Sequence, residues 1–229
     1  MMIAQHLERY DDMAEYALQL GSLKKNLTAE ERNLFALSFK NVVNPLKSDW
    51  DVLQALLDNQ TRKGKDTTQL VEYLKKVKGE VLQESDKVIH LVSGTLLKYA
   101  EDDKSRAFYL KMLGDYNRYK ALVTKGEERL GFNEAAKKSY GEAIQAARDL
   151  IDTNPIKLGI FLNYSIFYYE NEEDPNTAIA IAEKTLKKAE EGLKEYDDGD
   201  EETRDVQSII EILSNNLSAW TAGDDTEVF

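Results

Sequence analysis

An all-α fold of about nine antiparallel helices is what this sequence predicts, on three observations. Apolar residues recur at helical spacing over long uninterrupted stretches, as in Leu70, Tyr73, Leu74, Val77, Val81 and Val88. Prolines stand only at 45, 155 and 175 of the 229 residues, and no alternating β-branched run occurs. Between these punctuations the chain is rich in Ala, Leu, Lys and Glu, all good helix formers.

Taken in order, a short first helix spans about Ile3 to Leu7, and a second runs from Tyr10 to about Leu20, stopped by Gly21. Thr28 with Glu31 three positions on makes a capping box for a third helix. Pro45 lies inside that helix. It loses one backbone hydrogen bond and crowds the carbonyl of Asn41, so the expectation is a kink, with a full break as the alternative. Thr67 to Lys98 forms a fourth helix. Further helices are expected at Asp103–Thr124, Asn133–Ile151, Ile156–Glu170, Asn176–Leu193 and Glu202–Trp220. The acidic EYDDGDEE stretch before the last reads as an exposed loop, and Thr221–Phe229 as a short acidic flexible tail after a helical domain over 1–220.

One internal echo adds to the architecture. Ala143, Ile144 and Ala147 recur as Ala178, Ile179 and Ala182, 35 residues later. Small residues at such positions allow close helix packing, and the period approaches that of helix-pair repeats. It predicts a curved, cup-shaped, solenoid-like layer with a concave side able to hold a ligand.

Composition narrows the function. With 42 acidic against 30 basic residues the formal net charge is −12, which disfavours nucleic acid and anionic membrane surfaces. An anion-binding site in such a chain has to be a local basic patch. There is no cysteine, and His6 and His90 are the two histidines, too few for a histidine-based metal site or catalytic array. No stretch approaches the length of a membrane span, and MMIAQHLERYDD lacks a signal-peptide pattern, so the expected location is cytoplasmic. No nucleotide loop, metal cluster or nucleophile–base pair is found. A non-enzymatic protein without cofactor, metal or catalytic residues is expected.

The most informative stretch is Phe108–Tyr119, FYLKMLGDYNRY, where apolar residues at helical spacing lead to Arg118 and Tyr119. On its own the pair reads as a surface charge beside a core aromatic. Four other strings accompany it: Glu8–Ala14 (ERYDDMA), Glu31–Val43 (ERNLFALSFKNVV), Pro155–Glu170 (PIKLGIFLNYSIFYYE) and Gln207–Trp220 (QSIIEILSNNLSAW). Together, in this order, they resemble the 14-3-3 proteins along nearly the whole chain. The family comprises dimeric adaptors that bind phosphoserine or phosphothreonine in extended segments of client proteins. Phospho-motif recognition by arginine clusters is the binding mode to which it belongs. A phosphoryl group carries about −1.5 to −2 charges near neutral pH and offers three acceptor oxygens to cationic donors.

The resemblance implies the following site. Lys40 stands where relatives have an invariant phosphate-pocket lysine, and Lys47 occupies the first of two arginine positions. Seven residues apart, they share one helical stripe. The second arginine position holds Asp51, one turn further along. Lysine keeps the charge of arginine but not its planar fork, and Asp51 repels phosphate. Arg118 and Tyr119 match unchanged. The implied cradle of Lys40, Lys47, Arg118 and Tyr119 binds phosphate at reduced affinity. Two backbone-holding asparagines fall at Asn163 and Asn216. Leu162, Ile166, Ile209, Ile212 and Trp220 supply an apolar wall, eroded at Ser208, and Glu170 matches a ligand-contacting acid.

A homodimer is the second implied property. Ile3, Leu7, Arg9, Asp12, Tyr73, Lys76 and Glu80 match its interface, with Arg9–Glu80 and Asp12–Lys76 as charge-complementary pairs. Exposed ion pairs contribute only about 0–1 kcal/mol each, so Ile3, Leu7 and Tyr73 carry the affinity. The late start of the first helix, and Asp49 in place of a serine, point to a weak dimer. The alternative reading is a helical scaffold that binds unphosphorylated segments, the phosphate role having been lost with Asp51. The acidic tail GDDTEVF is a further candidate, as a self-ligand of the basic pocket.

Overall fold

A computed structural model describes residues 1–193 and 201–222. Among the described residues there are nine α-helices and no strand. They are α1 (Met2–His6), α2 (Tyr10–Leu23), α3 (Ala29–Arg62), α4 (Thr68–Gly94), α5 (Asp103–Leu122), α6 (Gly126–Ala146), α7 (Pro155–Glu170), α8 (Pro175–Leu193) and α9 (Glu201–Ala222). A 3-10 turn, Leu96–Tyr99, follows α4. The expected acidic loop lies largely, and the tail beyond Ala222 wholly, outside the described residues. The tail's role as self-ligand lies outside them too. None of the described helices is long and apolar enough to cross a membrane.

Helix starts follow local side-chain chemistry. At α3 the Thr28 hydroxyl accepts from the Glu31 amide at 3.2 Å, and the Glu31 carboxylate accepts from the Thr28 amide at 2.7 Å. The capping box is therefore complete. Lys24 closes on the same carboxylate at 2.6 Å, and this bond, with the Thr28 amide, holds Glu31 below the usual glutamate pKa. At α5 the Asp102 carboxylate accepts from the Ser105 amide and hydroxyl, at 2.7 and 2.6 Å. Asn154 before Pro155, and Asp174 before Pro175, accept from first-turn amides of α7 and α8. Proline at the first helical position costs nothing, because that amide has no helical partner anyway.

Three boundaries depart from the sequence reading. Gly21 does not end α2, which continues to Leu23. Its hydrogen faces α4 so closely that a Cβ there would come within 2.8 Å of Leu91 Cδ2, so the glycine serves packing rather than termination. The sixth helix spans Gly126–Ala146 rather than Asn133–Ile151. Two glycines in KGEERLGFN discount the stretch on propensity. Yet Gly126 takes φ +60° at the turn, and Glu127 and Glu128 complement the positive end of the helix dipole. Finally, Pro45 does not break α3, which is continuous over 34 residues and about 50 Å long. Buried Phe35, Phe39 and Val43 anchor the helix before the proline and Trp50 anchors it after, so tertiary packing overrides the lost hydrogen bond.

The chain forms two compact units. The first comprises Met1–Glu101 and Met112–Ala136. Its helix α3 packs against α2 and α4. Trp50, Leu74, Val77, Val81 and Val123 form one of its core clusters, with Leu46, Leu53, Leu57, Leu82, Tyr119 and Leu122 packed around them. The second comprises Asp102–Lys111 and the described residues from Lys137 onward. There α7, α8 and α9 pack on one another. The small residues of the internal echo, Ala143, Ala147, Ala178 and Ala182, are all buried in this unit.

If packing on both sides keeps α3 continuous through Pro45, then Pro45→Ala restores a backbone donor without disturbing the core. Urea unfolding should show the variant more stable by about 1–2 kcal/mol, part of the roughly 3 kcal/mol that an interior proline costs.

Candidate functional site

In the first unit, Tyr119 is the centre of the candidate site. It packs against the Trp50–Leu74–Val77–Val81 cluster. Tyr116 meets it edge-on, with centroids 5.4 Å apart. Two cations lie over the same ring: Lys47 Nζ at 4.3 Å from its centroid and the Arg118 guanidinium carbon at 4.8 Å. Residues from α3 and α5, 71 positions apart, are thus gathered at one aromatic. Cation–π contacts of this kind contribute about 0.5–2 kcal/mol, rising as the cation loses water.

Burial sharpens the contrast among the residues. Arg118 is 5% exposed and its neighbour Asp115 also 5%. Tyr116 is buried, and desolvation raises its pKa well above the ordinary tyrosine value, with Tyr119, Asp115 and Glu84 adding to the shift. The Tyr116 phenol therefore stays neutral. Lys47 is half-buried, whereas Lys40 is exposed two helical turns earlier on α3. The structure brings Lys47, Arg118 and Tyr119 together at one ring, and Lys40 lies two turns before Lys47 on the same stripe of α3.

Asp51 lies one turn past Lys47 on α3. As a residue it is exposed, yet partial dehydration of its carboxyl raises the pKa above the ordinary aspartate value, against a downward pull from Lys47.

In the second unit the other candidates sort by depth. Leu162 is 7% exposed and belongs to a cluster with Ala182 and Leu213, so it backs the wall rather than forming its surface. Ile166, Ile209 and Trp220 pack on that cluster from its rim, and Ile212 is 45% exposed. Asn163 and Asn216 are half-buried, and Glu170 is exposed. Ser208 turns its hydroxyl back to the Arg204 carbonyl at 3.0 Å. Sequence reasoning missed Tyr169, whose ring stacks on Trp220 at 4.7 Å and 14°. No periodicity links residues of α7 and α9 that lie 51 positions apart; the tyrosine pair ahead of Glu170 was the available hint.

Among the residues expected at a dimer seam, Ile3, Leu7 and Tyr73 are 79, 63 and 52% exposed in the single chain. The four charges pair locally instead: Arg9 with Asp12, and Lys76 with Glu80 at 3.8 Å. Lys76 also lies over the Tyr73 ring. Among the described residues no group of His, Asp and Glu is arranged to hold a metal ion.

A family model described as "14-3-3 protein" matches residues 1–221. The chain belongs to the 14-3-3 family. It is 35% identical to 14-3-3 protein 2 of Entamoeba histolytica, over 97% of this chain and 94% of that protein. Against 14-3-3-like protein 2 of Caenorhabditis elegans the identity is 36%, covering 98% of this chain and 92% of the other. The 14-3-3 family protein artA of Aspergillus flavus is 33% identical, over 97% and 94% respectively. As a 14-3-3 protein the chain is an adaptor that binds partner proteins and not an enzyme.

The raised pKa of Asp51 has a consequence for stability. Its native state binds the proton more tightly than the unfolded chain does, so ionising the carboxyl costs native stability. That cost is absent below the ordinary aspartate value of 3.8 and complete above the raised native one. Asp51→Asn should therefore melt at a higher temperature than the parent at pH 7. The gap should close as the pH falls through the window just above 3.8. Calorimetry at several pH values reads both.

Proposed function

We propose that this 14-3-3 protein binds client segments through a phosphoserine or phosphothreonine, held by Lys47, Arg118 and Tyr119 with Lys40 as an outlying cation. The observation that carries this reading is the convergence of Lys47 and Arg118 on the Tyr119 ring. Two cations of a chain with net charge −12 are concentrated where a phenol can donate to the same anion. Desolvated, charge-assisted hydrogen bonds are the strong ones. The segment's backbone is assigned to Asn163 and Asn216. Its apolar side chains fall to Ile166, Ile209, Ile212 and Trp220 with Leu162 behind them, and its polar flank to Glu170.

Affinity is lower than an arginine-rich cradle would supply. Lys47 offers a point charge rather than a two-pronged donor. Asp51 adds repulsion toward a dianion and draws on the charge of Lys47. A scaffold reading, in which unphosphorylated segments bind, is favoured by the same Asp51 and is the competing outcome. The exposed apolar residues Ile3, Leu7 and Tyr73 are assigned to a homodimer seam. Forming it requires Arg9, Asp12, Lys76 and Glu80 to exchange their internal partners for intermolecular ones, which leaves little net electrostatic gain and a weak dimer.

Fluorescence polarisation with a phosphoserine peptide and its unphosphorylated twin decides between the readings. The phosphorylated peptide should bind at least tenfold more tightly, and Arg118→Ala should remove that advantage by deleting a largely buried charge-assisted donor. Equal affinity for the twins would favour the scaffold.

A further inference from the structure

Helices α5 and α6 are joined by three residues, 123–125, and so short a connection makes them antiparallel neighbours. The first half of α5 and the second half of α6 accordingly fall in the same unit. Between these halves lies a cleft of about 470 Å³. Asp103, Arg106 and Leu110 line it from α5, along one helical stripe. Lys138, Gly141 and Glu142 line it from α6. None of these residues belongs to the phosphate cradle, the apolar wall or the dimer seam. Leu110, 3% exposed, supplies an apolar floor. Gly141 withholds a side chain, and a Cβ there would meet no atom within 4 Å, so the space is left open. The charges on the rim are unevenly matched. Glu142 lies 3.9 Å from Lys138. Asp149, and Asp103 after it, raise the pKa of Arg148, so Asp103 has a cation outside the cleft. Arg106 is the cation left over: among the described residues its side chain takes part in no ion pair and no hydrogen bond.

We infer that this cleft binds a small monocarboxylate with a compact apolar body, of the size of a medium-chain alkyl acid. The planar guanidinium of Arg106 takes the carboxylate and donates to both of its oxygens. The apolar body runs from there over Leu110 and into the open space at Gly141, and its burial supplies most of the driving force. Asp103, one turn on the other side of Arg106, repels the head and is a poor neighbour for the tail, which sets the direction. Size decides against a folded partner. The α5 stripe is about 10 Å long at helical rise, whereas a specific protein interface buries at least about 1,000 Å². The volume of the cleft falls instead within the roughly 300–1,000 Å³ of small-molecule sites. The site operates whether or not the cradle holds a phosphate.

The test titrates octanoate, octan-1-ol and octylammonium into the isotope-labelled full chain, followed by two-dimensional NMR. Octanoate should move the amide signals of Arg106, Leu110 and Gly141 saturably. Its dissociation constant should be on the order of 0.1–1 mM, the affinity that about ten heavy atoms support. Octylammonium should move none of these signals. Arg106→Gln should weaken octanoate by about five- to tenfold and leave octan-1-ol unchanged, while Arg106→Lys keeps most of the affinity. Gly141→Leu fills the space from a helical position and should abolish binding of both. That variant should melt no lower than the parent, because leucine suits a helix better than glycine, so blocking is told from unfolding. Octanoate that binds Arg106→Gln and Gly141→Leu as it binds the parent overturns the inference, as do shifts confined to other residues or equal binding of octylammonium. A helical peptide with one glutamate among leucines, binding this cleft about tenfold more tightly than octanoate, would assign it to a protein segment and overturn it too. A phosphoserine peptide added to the same samples reads the cradle separately, so failure at the cleft is distinct from failure of the phosphopeptide reading.

Discussion

The ring of Tyr119, seated on an aliphatic cluster and overlaid by two cations, is the contact on which the rest of the site depends. Tyr119 packs against the cluster of Trp50, Leu74, Val77 and Val81, which ties its position to the core. Its π-face then offers Lys47 and Arg118 a place to reside despite their mutual repulsion. The packing of α3 and α4 is in this sense part of the electrostatics.

This arrangement explains why Pro45 matters less than its chemistry suggests. The cradle needs Lys47 and the Phe35–Phe39 anchor on one rod, and α3 remains one rod. The proline sits on an exposed position of the helix, where the lost hydrogen bond falls on the water side. Asp51 is the residue that strains the scheme. It places a dehydrated negative charge next to the very lysine the cradle needs.

Much of the fold was legible from the chain. Helical periodicity, the Thr28–Glu31 box, and Pro155 and Pro175 at helix starts are local signals, and local signals survive folding. The failures were places where a distant partner decides. Gly21 reads as a stop until Leu91 is seen against it, and Pro45 leaves a break open until Trp50 is seen buried beyond it. The candidate site divides in the same way. Arg118 and Tyr119 were readable as neighbours, and Lys47 with Asp51 as one turn of helix. That Lys47 reaches the Tyr119 ring, or that Tyr169 stacks on Trp220, depends on contacts between helices that no spacing encodes.

The claim at the centre of this account is that a client phosphate exchanges water for Lys47 and Arg118. Phosphorus NMR of a bound phosphoserine peptide reads that exchange on the phosphate itself. Flanking cations stabilise the dianion, so the account predicts a second ionisation in the complex clearly below the value of about 6 for a free phosphoserine. A bound phosphate that titrates like the free peptide would place it in solvent and contradict the cradle.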